Sequence, residues 1–377
     1  MLTEIATPYR APVFSQLRKS DRYTFDFFYL AKHQRDRLWP NYNDDRDFIL
    51  EGSQFCIAGY HTFYFNWNFD ILFNDPYDLY IIGGYAQWAM WRVMAFCSRK
   101  SIPYILMTES HHSKARSWLK KVFKKVILTK LYSNASANLV MSEKARQYII
   151  SFGADEKRIW FFPNTIDSEV YKVSVEDQKP LAKAKLKQWK FNNKICFLFV
   201  GTLNQRKGID LLVEAFSKLN HMQNNAYALV IVGSGKMEAF VRSMVDKMGL
   251  SQSVNFGGFV MPKDLPLYYA LADIFVLPSR EEPFGAVVLE AMAAGLPIIT
   301  TDVVGAAGMF AKHQENALVI KNNNVEALFL AMQHLSQDLS LRQNMGHCSR
   351  RIMESWTHRR LVSNIEAAVQ ASLESRN

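Results

Sequence analysis

The chain has 377 residues, of which 49% are hydrophobic and 21% charged, and its formal net charge is +10. This composition excludes a disordered or fibrous protein, and the length predicts two domains that each bury a core of their own. The four cysteines form no CxxC pair and the nine histidines show no HxH or HExxH spacing, which argues against a disulfide framework and a metal site and favours a reducing cytoplasm.

No secretory signal or membrane-spanning helix is predicted from the sequence. The amino terminus lacks an apolar segment behind a basic start, and the most hydrophobic stretch, residues 80–96, is interrupted by Gly83, Gly84 and Arg92. The positive charge is uneven, because residues 1–166 carry 22 Lys and Arg against 15 Asp and Glu. This excess is compatible with a partner such as nucleic acid, anionic lipid or an anionic small substrate.

In the first half, apolar runs alternate with segments of helical period, which predicts a parallel α/β domain. The predicted strands are 23–30, 78–84, 102–108 and 137–142. A polar, Lys-rich stretch at 167–194 then interrupts the pattern and is predicted to link two domains.

Residues 113–132 form a predicted basic amphipathic helix. Its apolar face consists of Leu119, Val122, Phe123, Val126 and Ile127, and its other faces carry Lys120, Lys121, Lys124 and Lys125. Such a helix is typical of a segment on an anionic membrane surface, and also of a domain helix that packs its apolar side inward; both can hold together. Nucleic acid is not an expected partner, because aromatic and basic residues are not interleaved on a recognisable platform.

The second half alternates strands and helices almost without interruption, which predicts a doubly wound domain. The predicted strands are 195–201, 227–233, 253–258, 274–279 and 297–301. A final helix is predicted within residues 355–377, with apolar positions at Leu361, Val362, Ile365, Ala368 and Val369.

The segment EEPFGAVVLEAMAAG follows the predicted strand 274–279 after a single residue, Arg280. If a helix begins near Gly285, the backbone N–H groups of Phe284, Gly285 and Ala286 lie at its positive end, where an anion binds readily. Because α/β sheets bind ligands at the carboxyl ends of their strands, a phosphate is predicted there.

Two carboxylates belong to the same segment. Glu282 is predicted in the loop facing the anion, and Glu290 one to two turns along the helix, still able to face the crevice. Carboxylate oxygens accept hydrogen bonds from hydroxyl groups, in which sugars are rich. The segment as a whole therefore favours a sugar site over an ordinary helix with solvated glutamates.

Two cations follow the first strand of the second half. That strand ends at Gly201, and Arg206 and Lys207 precede Gly208, which opens the next helix. The planar fork of Arg and the mobile point charge of Lys together suit a diphosphate. Solvated loop cations are the alternative for this pair alone, and its combination with the glutamate segment favours the diphosphate.

These two segments, in this order and 75 residues apart between Lys207 and Glu282, resemble the C-terminal domain of family 4 retaining glycosyltransferases of the GT-B fold. The resemblance is close over residues 195–319. Residues 137–167 and 108–112 resemble the end of the family's N-terminal domain.

The resemblance implies an α/β protein of GT-B architecture, with two Rossmann-like doubly wound domains that face a cleft and a last helix that crosses back to the N-terminal domain. Residues 1–170, with the helix at about 357–377, are expected to bind the acceptor. Residues 171–356 are expected to bind the nucleotide-sugar donor.

The resemblance also implies roles for individual residues. Arg206 and Lys207 are expected to hold the donor diphosphate, Glu290 the ribose, and Glu282 the transferred sugar. The other residues expected at the donor are Gly201, Phe259, Val260, Phe284, Gly285 and Ala286, with Phe259 and Val260 beside the base. His111 is expected near the transferred sugar, a structural histidine being the alternative.

Two positions depart from the family pattern. Thr202 follows Gly201, where the family usually has an arginine, and Arg206 is the substitute that we infer. Near the amino terminus, where the family commonly has a glycine-rich loop against the donor phosphates, the chain reads TPYRAPVF with Arg10 as its cation.

The implied activity is that of a retaining, metal-independent hexosyltransferase without a cofactor other than its nucleotide-sugar substrate. It would move a hexose or N-acetylhexosamine from a UDP- or GDP-sugar to a lipid-linked or surface-polysaccharide precursor, in the cytoplasm or at the inner face of the cell membrane. The alternatives are a non-catalytic partner subunit with the same fold and a GT-B-type nucleotide-sugar epimerase.

Two short motifs point elsewhere and are set aside. Asp45-Arg46-Asp47 has the DxD spelling of metal-dependent glycosyltransferases, but its polar surroundings predict a solvated loop. The sequence GSGK at 233–236 has Glu238 where a dinucleotide fingerprint needs its third glycine, which argues against a dehydrogenase.

Overall fold

A computed structural model describes residues 1–33, 42–57, 61–109, 118–222 and 226–375 of the chain. The chain divides into two compact units, the first made of Met1–Thr165 and His358–Asn377 and the second of Ile166–Thr357. Each unit is built on a parallel sheet with helices packed against it, which confirms the predicted class of two Rossmann-like α/β domains.

In its described residues, the first unit begins with nine strands and five helices. The strands are β1 (Leu2–Thr3), β2 (Phe28–Tyr29), β3 (Phe48–Ile49), β4 (Gly52–Ile57), β5 (His61–Asn66), β6 (Tyr80–Ile82), β7 (Tyr104–Thr108), β8 (Ala137–Val140) and β9 (Ile159–Phe161). The helices are α1 (Ala11–Leu17), α2 (Asp70–Phe73), α3 (Trp88–Lys100), α4 (Trp118–Asn134) and α5 (Glu143–Ile150).

The second unit follows directly. Its strands are β10 (Ile195–Val200), β11 (Tyr227–Val232), β12 (Val254–Gly258), β13 (Ile274–Leu277), β14 (Ile298–Thr301) and β15 (Ala317–Ile320). Its helices are α6 (Ser168–Gln188), α7 (Ile209–Met222), α8 (Glu238–Lys247), α9 (Leu265–Ala270), α10 (Ala286–Ala293), α11 (Val325–Gln337) and α12 (Leu339–Glu354). The last helix, α13 (His358–Glu374), belongs to the first unit.

The main sheet of the first unit has the order β3-β2-β1-β6-β7-β8-β9 with every pair parallel, and β4 and β5 form a separate antiparallel hairpin. Side chains alternate along a strand, so Ile82, Leu106 and Val140 enter one core cluster with residues of α3, α4 and α5. Helices α1 and α13 pack on each other, and α13 also contacts β7, β8 and β9.

The sheet of the second unit has the order β12-β11-β10-β13-β14-β15, again with parallel pairs. Counted within the unit, this is the strand order 3-2-1-4-5-6 of dinucleotide-binding domains. The direction of winding reverses between β10 and β13, and ligands of such sheets bind beyond the carboxyl ends of the strands at that switch point.

The predicted linker at 167–194 is wrong, because most of it forms helix α6 in the second unit. The Asp167 side chain begins the helix by accepting a hydrogen bond from the Val170 backbone at 3.1 Å. Helix α6 packs on α9, α10 and α12 while burying only Val175 and Ala182. A stripe this narrow leaves the sequence polar enough to resemble a linker.

The predicted C-terminal helix is confirmed as α13. Leu361, Ile365, Ala368 and Val369 are buried as their spacing predicts, and Val362 is half-buried. Among the helices of the described part of the chain, none has the combined length and hydrophobicity that crossing a bilayer requires.

Substitution of Gly208, compared with Gly249, tests whether the loops after β10 and β13 must approach each other closely. Both have a left-handed backbone, with φ of +66° and +68°. A Cβ at Gly208 would lie 2.2 Å from the Pro278 carbonyl oxygen, whereas one at Gly249 would meet nothing within 4 Å. We expect Gly249→Ala to cost about 1 kcal/mol of stability from backbone strain alone, and Gly208→Ala about 1–3 kcal/mol more from the clash.

Urea unfolding of both variants measures the difference. Equal losses would show that the loop after β13 yields freely and that close approach at Gly208 is unimportant.

Candidate functional site

The two cation- and glutamate-bearing loops meet at the switch point of the second unit. After β10, Asn204 begins a single turn of 3-10 helix at Gln205–Lys207 by accepting a hydrogen bond from the Lys207 backbone at 3.2 Å. The Lys207 ammonium then forms an ion pair with the Glu282 carboxylate in the loop after β13. Two side chains 75 residues apart are therefore in direct contact at the predicted ligand edge.

Glu282 is charged although it is buried. Burial is the largest single influence and would raise the pKa of its carboxyl group, but the charge and hydrogen bond of Lys207, the Phe284 backbone and the charge of Arg206 together outweigh it, and the pKa lies below the ordinary value of 4.5. The Lys207 side chain remains 19% exposed. At neutral pH the pair presents a fixed carboxylate, which accepts hydrogen bonds, beside a cation that solvent can reach.

A third loop, which runs from the end of β14 to residue 311, holds the Glu282 segment in place. The Gly305 backbone donates to the Glu282 carbonyl at 3.0 Å, and the Ala306 backbone donates to the Phe284 carbonyl at 2.8 Å. A Cβ at Gly305 would lie 2.0 Å from the Pro283 carbonyl oxygen. Only a glycine allows the two backbones to come this close.

The start of α10 lies where the sequence predicts it. Gly285 is the N-cap residue with a left-handed φ of +88°, and Ala286 is the first helical residue. The Phe284 amide, predicted to be free for an anion, lies 3.5 Å from Glu282 Oε1, and the Phe284 ring is buried 5.9 Å from the Phe310 ring. The prediction of a free amide is therefore wrong for Phe284, because the carboxylate next to it takes that position.

Arg206 is placed differently from Lys207. Its side chain is 46% exposed, and its Nε lies 3.9 Å from Glu281 Oε2. Its carbonyl oxygen accepts hydrogen bonds from the Arg280 and Glu281 backbones, at 2.7 and 3.2 Å. The backbone of Arg206 thus ties the two loops together, and its guanidinium lies at the surface beside Glu281.

Arg280 is a positioning residue that the sequence reasoning missed. It donates to both carboxylate oxygens of Asp210 at 2.6 Å, to the Gln205 carbonyl at 2.9 Å and to Asn323 Oδ1 at 2.6 Å. These contacts join the loop after β13 to the start of α7 and to the loop after β15. The available signal was an arginine next to a buried strand and two residues before Glu282.

Glu290 is buried on α10 and does not stand free in the crevice. The Tyr269 hydroxyl of α9 donates to Glu290 Oε2 at 2.8 Å. The Tyr269 ring lies 5.9 Å from that of Tyr171 and 6.0 Å from that of Phe275. The side chain is thus held in a fixed position by a partner that spacing along the sequence could not identify.

The glycines at the ends of β10, β11 and β12 lie side by side. The Gly201 backbone donates to the Val232 carbonyl at 2.9 Å, and the Gly233 backbone donates to the Gly258 carbonyl at 2.7 Å. A Cβ at Gly233 would lie 1.9 Å from the Gly201 carbonyl oxygen. The first glycine of GSGK therefore allows the neighbouring loops to pack closely.

The two residues predicted beside the base follow β12. The Phe259 ring is exposed and Val260 is half-buried.

The predicted sites of the first unit lie partly outside the described residues. This holds for His111 and for the side chains at 113–124. In the described part of α4, Leu128, Leu131 and Tyr132 are buried, whereas Val126 is 65% exposed. Inward packing of the predicted apolar face is therefore wrong at Val126, whereas Ile127 of the same face is half-buried.

The DxD motif does not form a solvated loop throughout. Asp47 forms an ion pair with Arg18 in which both side chains are buried, and its other oxygen accepts from the Asp44 backbone at 2.7 Å. Arg46 pairs with Asp44 on the surface. Among the described residues, no group of three potential ligands is arranged to hold a metal ion.

Comparison with known proteins identifies the part of the chain that contains this arrangement. Residues 182–351 match the family model of glycosyl transferases group 1. This segment belongs to the glycosyl transferases group 1. It contains the whole of the Lys207–Glu282 arrangement, and the match confirms the resemblance drawn from the sequence.

Individual relatives extend the comparison to the whole fold. The chain is 27% identical over 249 residues to the GDP-mannose-dependent alpha-(1-6)-phosphatidylinositol monomannoside mannosyltransferase of Mycobacterium tuberculosis, covering 64% of this chain and 63% of the relative. The structure of WaaG, a glycosyltransferase involved in lipopolysaccharide biosynthesis, matches 97% of both chains with a TM-score of 0.63 and 16% identity. That of Anabaena Alr3699/HepE in complex with UDP covers 78% of this chain and 79% of the other, with a TM-score of 0.65 and 19% identity.

The structural matches show the GT-B fold. The sequence matches are partial, because the chain spans between 37% and 63% of the length of the first curated relatives.

Substitution of Arg280 tests whether its fork holds the site together. Arg280→Lys keeps the charge but loses the paired geometry to Asp210, so we expect a loss of about 1–2 kcal/mol in the free energy of unfolding. The matched control is Arg351→Lys, whose side chain is 71% exposed and lies 3.8 Å from Glu315; we expect a change within about 0.5 kcal/mol. Equal effects in urea unfolding would contradict a clamping role for Arg280.

The pKa of Glu282 predicts how stability depends on pH. Because the pKa is lower in the folded chain than the ordinary 4.5, the carboxylate stabilises the fold above that value. This contribution is lost as the pH falls through the folded pKa. We expect the stability of Glu282→Gln to fall less steeply than that of wild type below about pH 5.

The control for the pH series is Glu281→Gln, at the neighbouring half-exposed carboxylate. Parallel pH profiles for wild type and Glu282→Gln, measured by urea unfolding, would show that Glu282 has no depressed pKa.

Proposed function

We propose that this protein is a retaining, metal-independent glycosyltransferase that moves a hexose or N-acetylhexosamine from a UDP- or GDP-sugar to a lipid-linked or surface-polysaccharide precursor. The observation that carries the proposal is the ion pair between Lys207 and Glu282 at the switch point of the second unit. It combines an anion-binding group with a hydroxyl-binding group at the edge where such sheets bind ligands.

The charges of this arrangement suit departure of a nucleoside diphosphate. As the bond between the sugar and the diphosphate breaks, negative charge grows on the leaving oxygens and positive charge on the sugar ring. Lys207 and Arg206 stabilise the leaving group in our proposal, and the start of α10 at Gly285 adds its positive end. These groups supply the electrostatic role that a divalent cation has in other glycosyltransferases.

The buried carboxylates are proposed to hold the donor. Glu282 accepts hydrogen bonds from hydroxyls of the transferred sugar, and Glu290, oriented by Tyr269, accepts them from the ribose. Phe259 and Val260 lie beside the base, and Gly201 and Ala286 border the phosphates. His111 is proposed near the transferred sugar.

Retention of configuration requires no enzyme nucleophile in this proposal. The acceptor attacks on the face from which the diphosphate departs, and the departing phosphate takes the acceptor's proton. The carboxylate of Glu282 remains ionised because its pKa is depressed, so its role is to bind hydroxyl groups and stabilise charge.

The compared proteins support both the donor and the acceptor class. The mycobacterial relative is named for GDP-mannose and for a phosphatidylinositol mannoside, and the Anabaena structure contains UDP. WaaG is described as acting in lipopolysaccharide biosynthesis. A membrane-borne acceptor fits the basic first unit, in which Lys125, Val126 and Lys130 of α4 are exposed. We therefore propose peripheral contact of 113–132 with anionic membrane at the cytoplasmic face.

Donor binding is the first test. The melting temperature of the chain is measured with UDP, GDP and ADP, because a ligand that binds only the folded state raises it. We expect a rise with UDP or GDP that survives EDTA and is abolished in Lys207→Ala. An unchanged melting temperature with all three nucleotides would refute the assignment of the donor site.

Turnover is the second test. Removing one charged donor from a leaving group costs about 3 kcal/mol, so we expect Lys207→Ala to reduce sugar transfer by about a hundredfold or more. Glu282→Gln removes an ionised acceptor of the sugar hydroxyls, worth about 1.5–3 kcal/mol, and should reduce transfer by about tenfold or more. The control is Lys218→Ala on α7, where Lys218 forms an exposed ion pair with Glu326 of α11, and this variant should retain full activity.

The same assay separates the alternatives. An epimerase would convert the donor without any acceptor, and a non-catalytic partner would bind the nucleotide without turnover. Full activity in Glu282→Gln would refute the proposed role of that carboxylate.

A further inference from the structure

The hairpin of β4 and β5 presents an exposed aromatic face. Phe55 lies opposite Phe63 in the strand register, and Ser53 lies opposite Phe65. Paired residues share one face of a hairpin, so these three rings lie together. Beyond β5, the Trp67 backbone continues the ladder by donating to the Glu51 carbonyl at 3.3 Å. We call Phe55, Phe63, Phe65 and Trp67 the aromatic face; all four are exposed.

The opposite face of the hairpin is fixed firmly to the unit. Tyr64 and Asn66 are buried, and the Asn66 amide donates to the carbonyls of Leu30 and Leu50 at 2.9 and 3.1 Å. Gln87 accepts from the Tyr64 backbone at 3.0 Å and donates to the Thr62 carbonyl at 3.0 Å. With one face anchored, the alternation of side chains directs the aromatic face outward.

The hairpin belongs to the same layer of the unit as α3 and α4. Tyr64 shares one core cluster with Met90 and Val93 of α3 and with Leu128 and Leu131 of α4. That cluster lies on a single face of the main sheet, since it takes only alternate residues of β6 and β7. The hairpin and both helices therefore cover the same side of the sheet.

The exposed side chains of this layer combine aromatic rings with cations. Trp67, Trp88 and Trp91 are the exposed tryptophans of the described chain, and all three lie here. The exposed cations are Lys32, Arg92, Arg99, Lys100, Lys125 and Lys130, and exposed carboxylates are present at Glu51, opposite Trp67, and at Asp70 of α2. Residues 52–67 themselves contain no charged residue. An uncharged aromatic surface in a layer that also exposes cations has the chemistry of the interface of an anionic bilayer.

We propose that the aromatic face inserts into the interfacial layer of an anionic membrane and fixes the first unit to it. The inference rests on the proposed function, since a lipid-linked acceptor would lie at the same surface. Lysines of α4 supply attraction that salt screens, whereas the Phe rings supply hydrophobic contact that salt does not weaken. Strands whose other face is already anchored by hydrogen bonds lose little conformational freedom on insertion, which favours binding.

Binding of the full chain to sedimenting vesicles tests the proposal. The vesicles contain phosphatidylcholine with phosphatidylglycerol, at low and at high salt. We expect Phe55→Gln and Phe65→Gln each to lower the partition coefficient about fivefold, with the loss persisting at high salt. Phe240→Gln is a matched control, because Phe240 in the second unit has the same exposed fraction, 55%, as Phe55. It should bind vesicles as wild type does.

A second measurement does not depend on weakened binding. Vesicles with brominated acyl chains quench tryptophan fluorescence on contact, and Trp67→Phe keeps an apolar ring while removing the fluorophore. We expect Trp67→Phe to bind vesicles like wild type but to lose a measurable part of the quenching. Unchanged quenching would show that Trp67 stays in water and would overturn the proposal.

The outcomes separate this inference from the proposed function. Normal vesicle binding by Phe55→Gln and Phe65→Gln refutes the aromatic face, whatever the nucleotides do to the melting temperature. Failure of UDP and GDP to bind refutes the donor site and leaves vesicle binding as an independent result. An equal loss of vesicle binding in Phe240→Gln would show that the effect is not specific to the aromatic face. Binding of a soluble oligosaccharide to the aromatic face in the absence of vesicles would show that the face serves a glycan instead. Either result would overturn membrane insertion.

Discussion

The ion pair of Lys207 with Glu282 is the interaction around which the second unit is arranged. It connects the loops after β10 and β13, the two strands between which the winding of the sheet reverses. A charged pair that is mostly removed from water is stable only when its surroundings hold it in good geometry. Asn204 on one side and the loop around Gly305 on the other provide that geometry.

The need to hold this ion pair in a fixed geometry also explains several residues that are not proposed to contact a ligand. Arg280 joins three loops through four hydrogen bonds, and Gly208 and Gly233 permit backbones to approach where any side chain would collide. Their common effect is to hold in place the loops that carry Lys207 and Glu282. Preorganised charge of this kind is what makes electrostatic stabilisation of a leaving group effective.

The sheet of the first unit is covered by two different layers. It is covered on one side by α1 and α13, and on the other by a layer whose outer surface carries exposed tryptophans, phenylalanines and lysines. A group of exposed apolar side chains on one surface usually marks an interaction site. A rigid polar site in one unit and an adhesive surface in the other correspond to the two tasks of our proposal, which are to bind a soluble donor and to meet a membrane-borne acceptor.

The sequence by itself determined which segments alternate as strands and helices and which polar residues follow the strands at 195–201 and 274–279. These are local properties, because periodicity and the position of a motif after a strand need no distant partner. It therefore predicted that Lys207, Glu282, Gly285 and Glu290 belong to one sheet edge. Only the tertiary structure decided that Lys207 pairs with Glu282, that Tyr269 holds Glu290 and that Arg18 buries Asp47.

The tertiary structure also decided how two of the helices are placed. The segment at 167–194 became α6 because α9, α10 and α12 cover its narrow apolar stripe, and α4 turns Leu128 rather than Val126 inward because the core lies on that side. Each of these outcomes depends on contacts between residues far apart in the chain. Periodicity shows that a helix has an apolar side, but the neighbouring elements decide which side is covered.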